Sequence, residues 1–419
     1  MVVMFHGRVG SKIAVDKIKA AVTPLRVFMV LATLIIIIGY VVPFLRYPNE
    51  QSNPWPEAYN VIQKSIIDEG KVPPDHIVQF GQYQKSDMVY FLNHHMMMVS
   101  EKLISSQPFG TIERFLSIVL TLVIFLSAYL FFTKALGHNI GFVAATLYIF
   151  MPRHLNYYTN VNGEYLSFII LFLGLYLSFD WLENHKAKNL IIAAVLVGVL
   201  PILSLINFGV FSLIWGAKIL TELLLKKERK RWFSLNMRFA IATAICVFIL
   251  AGLPLILTGN IKAGSSSSIG SIVSSRSAEE LDYEKKYYEE FAIYGNTFLK
   301  YKPFIRDIYF LSFDGSQTRH LLIIFLSLAL IGFIYAVSHP SDSSALFAIL
   351  LVSFFILLEI VLYSPLFNYN IYNSALRFLL YFSIPLVMLG GIAVAQLQKL
   401  NKLIFPLLLL ILLVSMPFI

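Results

Sequence analysis

About eleven runs of roughly 20 apolar residues divide this chain from end to end, and roughly 20 residues is the length a helix needs to cross a bilayer core. They fall near residues 24–45, 113–133, 137–152, 164–182, 188–204, 207–225, 238–258, 320–338, 344–363, 375–397 and 402–419. Hydrocarbon offers no partner to backbone N–H and C=O groups, so each run must satisfy them internally as a helix. Pro201 and Asn207 interrupt the fifth and sixth runs and mark a kinked or re-entrant segment. With 58% hydrophobic and 14% charged residues and a mean hydropathy of +0.72, the chain has too much apolar surface for a soluble domain of its size. The expected class is all-α: a polytopic membrane protein of about eleven transmembrane helices, with amphipathic surface helices in its first outer loop. The first run is too long for a signal-peptide core and reads as a retained anchor. The lone Cys246 excludes an internal disulfide.

The net charge of +9 has the size of a nucleic-acid signal, but the positions of the basic residues exclude that reading. Arg8, Lys12, Lys17 and Lys19 precede the first run, and Lys186 and Lys188 follow the fourth. KKERKR at 226–231 follows the sixth, and Lys399 and Lys402 follow the tenth. Helices alternating in direction put all four clusters on one side, which the excess of Lys and Arg in cytoplasmic loops makes the inside. KKERKR therefore reads as a topology signal, with headgroup recognition as its alternative. The chain divides into a cytoplasmic tail (1–23), a membrane module (24–258) with an outer cap loop (46–112), an outer lid loop (259–319) and a final set of helices (320–419). The absence of any Asn-x-Ser/Thr sequon fits a prokaryotic plasma membrane.

The outer loops have structure written into them. Tyr59, Ile62 and Ile66 recur at helical spacing opposite Gln63, Lys64 and Asp68, and Met88, Leu92, Met96, Val99 and Leu103 repeat the pattern, so two surface helices joined by KVPPDH are expected. GSSSSIGSIVSSRS at 264–277 cannot bury enough to order itself, whereas the tyrosines and mixed charges of EELDYEKKYYEEF suit a helix that closes over a ligand. His94 and His95 are adjacent, point about 100° apart on a helix, and make a poor ligand pair. No HExxH, CxxC, Walker loop or strand-linked GxGxxG is present.

Chemistry is expected first in MPRHLNYYTNVNGEY, residues 151–165, which sets Arg153, His154 and Glu164 between two apolar runs. Displacing an anionic leaving group such as a phosphate requires its charge to be stabilised, by a divalent cation held on carboxylates or by fixed Arg and Lys groups. It also requires a carboxylate to take the acceptor's proton. Glu50, Glu164, Arg153 and Arg377 are groups of the right kind, and anchoring at the headgroup level is the competing reading for Arg153 and Glu164. Glu359 sits inside the ninth run, where an unpaired carboxylate costs about 2.5 kcal/mol or more. Arg377, at the start of the next run, is its expected partner.

This layout resembles the glycosyltransferase C superfamily, whose members use polyprenyl-phosphate-linked sugars at the outer face. GFVAATLYIFMPRHLNYYTNVNGEYLSFIILFLGLYL is similar to the corresponding segment of YfhO-like membrane proteins and of the oligosaccharyltransferase catalytic subunit. ALRFLLYFSIPLVMLGG, residues 375–391, resembles their late helix with an Arg at its outer end. The resemblance implies a glycosyltransferase with Glu50 and Glu164 as catalytic and metal-binding carboxylates, within roughly 12 Å of each other. It further implies Arg153, His154, Arg377 and Glu359 as donor-binding residues, a polyprenyl-phosphate sugar lipid as partner, Mg or Mn as possible cofactor, and a possible membrane-protein partner subunit. The family places an Asp just after the first helix, where this chain reads RYPNEQSNPWPE; Glu50 is the nearest substitute and Glu57 the next. The WWDYG acceptor motif of asparagine glycosylation is missing. The alternative is therefore a non-catalytic member of the fold, acting as scaffold or lipid-binding subunit. A transporter is disfavoured because no internal repeat is found.

Overall fold

The computed structural model describes residues 24–38, 75–78, 82–85, 102, 109–151, 165–225, 229–253, 319–362 and 372–415. Eleven helices stand there, one in each apolar run. They are α1 Pro24–Ile36, α2 Phe109–Leu136, α3 His138–Ile149, α4 Tyr165–Asn184, α5 Ala187–Leu203 and α6 Leu205–Leu225. The remainder are α7 Arg229–Val247, which continues as a π-helical turn Phe248–Gly252, then α8 Arg319–Ser338, α9 Ser343–Leu362, α10 Tyr372–Leu400 and α11 Ile404–Ser415. Five segments are long and apolar enough to cross a membrane: 118–136, 165–184, 206–225, 229–250 and 381–400. Residues 323–338 and 343–358 pass as a pair bent by 117°. The chain is a multi-pass helical membrane protein.

A two-stranded antiparallel sheet, β1 Asp75–Val78 and β2 Gln82–Lys85, pairs Asp75 with Lys85. It begins within KVPPDH, which the sequence assigns to a plain link between surface helices. Those expected helices and the lid at 264–300 lie outside the described residues.

Glycines set how closely the helices approach, as expected where lipid provides no hydrophobic drive for association. Gly137, at φ 80°, is the whole turn between α2 and α3, a conformation that only glycine adopts without strain. Gly141 then packs directly on the backbone of Phe132 and Thr133, folding α3 back along α2. At roughly 18 Å, this 12-residue helix is shorter than the ~30 Å hydrocarbon core. α10 is wedged between α3 and α8. A methyl group on Gly390 would meet Leu147 at 2.9 Å, one on Gly391 would meet Ala144 at 3.0 Å, and Gly332 of α8 lies directly on the Leu389 backbone. Accordingly residues 381–394 of α10 are buried throughout. Around this wedge Phe131, Phe132, Tyr148 and Phe172 interlock, with Tyr148 edge-on to Phe172 at 5.5 Å. The outward surfaces are apolar: Phe233, Met237, Ile241, Ile245 and Phe248 run down the exposed side of α7.

The fold gathers the short turns at one end. Ser344 Oγ donates to Leu136 O at 3.3 Å, and Lys134 at the end of α2 meets Asp180 near the end of α4. Phe142 of α3 meets Phe405 of α11 edge-on at 5.5 Å, so the α10–α11 turn lies there too. Phe28 of α1 packs on Tyr129 at 4.8 Å, which starts α1 at the same end. Lys134, Lys186, Lys188, Arg229, Lys230, Lys399 and Lys402 all belong to this basic end. The opposite, loop end is where the chain passes into 39–108, 152–164, 254–318 and 363–371.

Candidate functional site at the loop end

Of the sequence-derived site residues, Glu50, Arg153, His154 and Glu164 lie outside the described residues. So does the expected separation of the two catalytic carboxylates. Glu359 lies in α9 and Arg377 in α10. Phe355 of α9 meets Phe382 of α10 edge-on at 6.2 Å. One turn beyond Phe355 is Glu359, and a little over one turn before Phe382 is Arg377, so the antiparallel helices carry these two positions at nearly the same level.

The loop that holds Arg153, His154 and Glu164 leaves the bundle at Met151 and returns at Tyr165, and both anchors are buried. Two residues on, Ser167 is fully buried, and Phe168 stacks on Tyr381 at 5.2 Å with the planes 22° apart. Arg377 is one helical turn before Tyr381, so the starts of α4 and α10 converge.

The third contributor is the break between α5 and α6. Pro201 has no N–H and sits in the last turn of α5, and Ser204 is extended at φ −163°. Ser204 closes α5 by donating its N–H to Leu200 O at 2.7 Å, and its Oγ caps α6 by accepting from Asn207 N–H at 3.3 Å. The interruption expected at 201–207 is thus a one-residue corner with a serine cap, and it is buried. Asn207 turns inward and donates from Nδ2 to Ser167 Oγ at 2.6 Å, tying α6 to α4. Its Oδ1 is buried and has no hydrogen-bond partner among the described residues. A lone buried acceptor of this kind costs about 1–3 kcal/mol and is kept where structure or ligand has a use for it. Asn207 was legible only as a helix interrupter; Ser167 and Ser204 carried no signal, being ordinary in apolar runs.

A laterally open cavity of about 500 Å³ lies between α5, α6 and α7, lined by Val197, Phe208, Phe211, Trp215, Phe239 and Phe248 among others. The π-helical turn borders it, and a wider turn of this kind is a common device at ligand sites. Its walls are almost wholly apolar, which suits a hydrocarbon chain.

At the basic end the ionic groups are mutually satisfied. Lys134 Nζ reaches Asp180 at 2.6 Å and Glu183 at 2.8 Å, while Asp180 also accepts from Asn184 at 2.6 Å and from Asn189. Deeper, Lys218 and Glu222 form a buried pair at 2.8 Å, with the ammonium over the rings of Phe179 and Phe347 at 5.5 and 5.9 Å. These groups lock α2, α4, α5, α6 and α9 together, and the described carboxylates of α4 and α6 are each held by a lysine. Among the described residues no group of three or more His, Cys, Asp or Glu side chains converges as a metal site.

Residues 95–254 match the family of dolichyl-phosphate-mannose-protein mannosyltransferases. In structure the chain is similar to the archaeal oligosaccharyltransferase AglB from Archaeoglobus fulgidus, solved with an inhibitory peptide and a dolichol-phosphate. The TM-score is 0.54 at 12% identity, over 91% of this chain and 51% of that one. The chain shares the membrane fold of that oligosaccharyltransferase. An Archaeoglobus fulgidus oligosaccharyltransferase complexed with Zn and sulfate gives the same likeness, with TM-score 0.53 at 14% identity over 93% of this chain and 52% of that one. The chain spans about half the length of the solved structures it matches. No curated protein matches it in sequence.

Proposed function

We propose that this chain is a membrane glycosyltransferase that takes a sugar from a polyprenyl-phosphate carrier at the loop end of the bundle, the outer face of a prokaryotic plasma membrane. The observation that carries the reading is the convergence of α4, α6 and α10 at the Phe168–Tyr381 stack and the Ser167–Asn207 bond. It gathers, at one end, Arg377 and the two anchors of the loop that carries Arg153, His154 and Glu164. The match to a dolichyl-phosphate-mannose transferase family supports the same donor chemistry, since that family's name specifies a sugar on a lipid phosphate. The gathering of basic residues at the other end supports the orientation.

In the proposed reaction the bond between the sugar's anomeric carbon and the phosphate oxygen breaks while an acceptor oxygen bonds to that carbon. The acceptor's proton passes to a carboxylate, Glu164 or Glu50, and the polyprenyl phosphate departs with the electron pair. Arg377 faces the phosphate through its planar fork, with Glu359 as its orienter and Arg153 and His154 as further donor contacts. Glu50 and Glu164 are also the proposed holders of a divalent cation, which would add charge stabilisation to the leaving phosphate. The lateral cavity between α5, α6 and α7 suits the isoprenoid tail.

RYPNEQSNPWPE, which lacks the Asp expected after the first helix, favours one rival: a non-catalytic, lipid-binding member of the fold, acting with a partner subunit. One experiment separates the two. The full chain in lipid nanodiscs is given radiolabelled polyprenyl-phosphate mannose, and both retained lipid and released polyprenyl phosphate are measured. Release above the Glu164→Gln and Glu50→Gln variants supports catalysis, retention without release supports the rival, and neither overturns the donor assignment.

A further inference from the structure

Of the cations near the basic end that stand outside the Lys134 and Lys218 ion pairs, Arg238 is set deepest along α7. α5 and α7 run parallel and touch at Gly198 and Cys246, where a methyl group on the glycine would meet Cys246 Cβ at 2.6 Å. Following both helices back from that contact at equal rise brings Arg238 level with Leu190 and sets it about 3 Å deeper than Lys188. Arg238 lies seven residues, roughly 10 Å, further into the bundle than Arg231. It is exposed there, and so are its neighbours Phe233, Met237 and Ile241, so the guanidinium rises from a lipid-facing surface.

Such a charge needs an anion, because leaving it unpaired beside hydrocarbon is costly. The described acids at this end are engaged elsewhere: Asp180 and Glu183 hold Lys134, buried Glu222 holds Lys218, and Asp342 caps the start of α9 by accepting from the Ser344 and Ala345 N–H groups. Among the described residues none pairs with Arg238. What a bilayer offers at that depth is the phosphate of a headgroup, which a snorkelling arginine grips through two parallel N–H donors. Further toward the same end lie the exposed Lys186 and Lys188, at the start of α5, and Arg229 and Lys230 of α7, all cations on two adjoining helices.

We propose that Arg238, with Lys186, Lys188, Arg229 and Lys230, forms a binding site for an anionic phospholipid in the leaflet at the basic end. The occupant is anionic rather than zwitterionic because the exposed charged residues of α7 and of the first turn of α5, with Lys186 that precedes it, are all cations. KKERKR thereby has a use beyond orientation: its first helical residues extend the patch that Arg238 anchors. The inference rests on the membrane fold and not on the glycosyltransferase reading, so failure here leaves that reading untouched.

The test uses the full chain, purified in detergent, stripped of lipid, and mixed with equal amounts of phosphatidylglycerol and phosphatidylcholine before native mass spectrometry. The wild type should retain phosphatidylglycerol preferentially. Arg238→Gln should weaken that retention about fivefold, the size expected for one basic side chain near an anionic surface, and Lys188→Gln should weaken it further. Arg238→Lys should recover part of it, because charge returns without the fork. Lys399→Gln, an exposed cation at the same end but on α10, should change nothing. Arg238 is exposed, so its replacement keeps the fold, which helical circular dichroism checks. Equal retention of the two lipids by the wild type, unchanged retention by Arg238→Gln, or an equal loss in Lys399→Gln would each overturn the proposal.

Discussion

Replacing Glu222 with Gln removes one charge from a pair that the bundle has taken out of water on both sides. Lys218 and Glu222 are 2.8 Å apart with side chains only 7% exposed, and no solvent is at hand to rehydrate whichever partner is left. Breaking a buried pair by deleting one member costs about 3–5 kcal/mol, because the survivor keeps its desolvation penalty and loses its compensation. Phe179 and Phe347 offset part of this for Lys218, at about 0.5–2 kcal/mol for a desolvated cation over aromatic faces. The expected net loss is therefore about 3 kcal/mol. Replacing both partners with apolar residues of similar size, Lys218→Met with Glu222→Leu, should lie within about 1 kcal/mol of the wild type or be more stable. Denaturant unfolding in mixed micelles, followed by helical circular dichroism, measures both variants. A Glu222→Gln loss below about 1 kcal/mol, or a double variant as unstable as the single one, would refute the reasoning and show the pair to be hydrated.

Gly137→Ala should cost about 1 kcal/mol through its positive φ alone, since no atom lies near the added methyl, and Gly137→Asn should cost less; thermal unfolding ranks them. Gly391→Val should be far worse, forcing α10 off α3 where a single methyl already meets Ala144 at 3.0 Å; loss of folded yield in membranes is the readout. Lys134→Ala should cost only about 1 kcal/mol despite its short bonds, because its partners are partly exposed and Asp180 keeps two asparagine donors; equilibrium unfolding decides. Asn207→Leu should lower sugar-lipid turnover more than stability if the open Oδ1 meets a donor from the substrate or the 152–164 loop. An equal fall in both would reduce Asn207 to a helix tie.

The helices were legible because hydrocarbon makes one demand, length of apolar run, and the composition answers it directly. Even the break at 201–207 showed, since Pro201 and Asn207 are conspicuous among Leu, Ile and Val. What did not show was pairing in space. Lys218 and Glu222 sit four residues apart inside a run that reads as continuous, and nothing in their spacing says that Phe179 and Phe347, from two other helices, complete the cage. Ser167 and Ser204 are silent for a related reason: a serine within an apolar helix commonly bonds its own backbone, as Ser127 does to Val123 O. Only the tertiary contact with Asn207 distinguishes them. The hairpin at 75–85 was masked by Pro73 and Pro74, which read as a linker, although His76, Ile77 and Val78 then run extended.

The described carboxylates and the buried amide of Asn207 are used differently at the two ends of the bundle. At the basic end the described carboxylates of α4 and α6 each have a lysine, and Asp180 has two further donors; groups so engaged hold helices and cannot accept a substrate proton without releasing a partner. At the loop end, the corner between α5 and α6 satisfies its backbone with Ser204 and spends Asn207 Nδ2 on Ser167, yet leaves the amide oxygen open in the interior. Scaffolds close their hydrogen bonds, because each open one costs stability. On the proposed reading the Asn207 acceptor beside the convergence of α4 and α10 is open to a donor from the substrate or from the 152–164 loop. On the proposed reading the reacting groups lie beyond Ser167 and Asn207, and the lysine pairs at the other end tie together the helices that carry them.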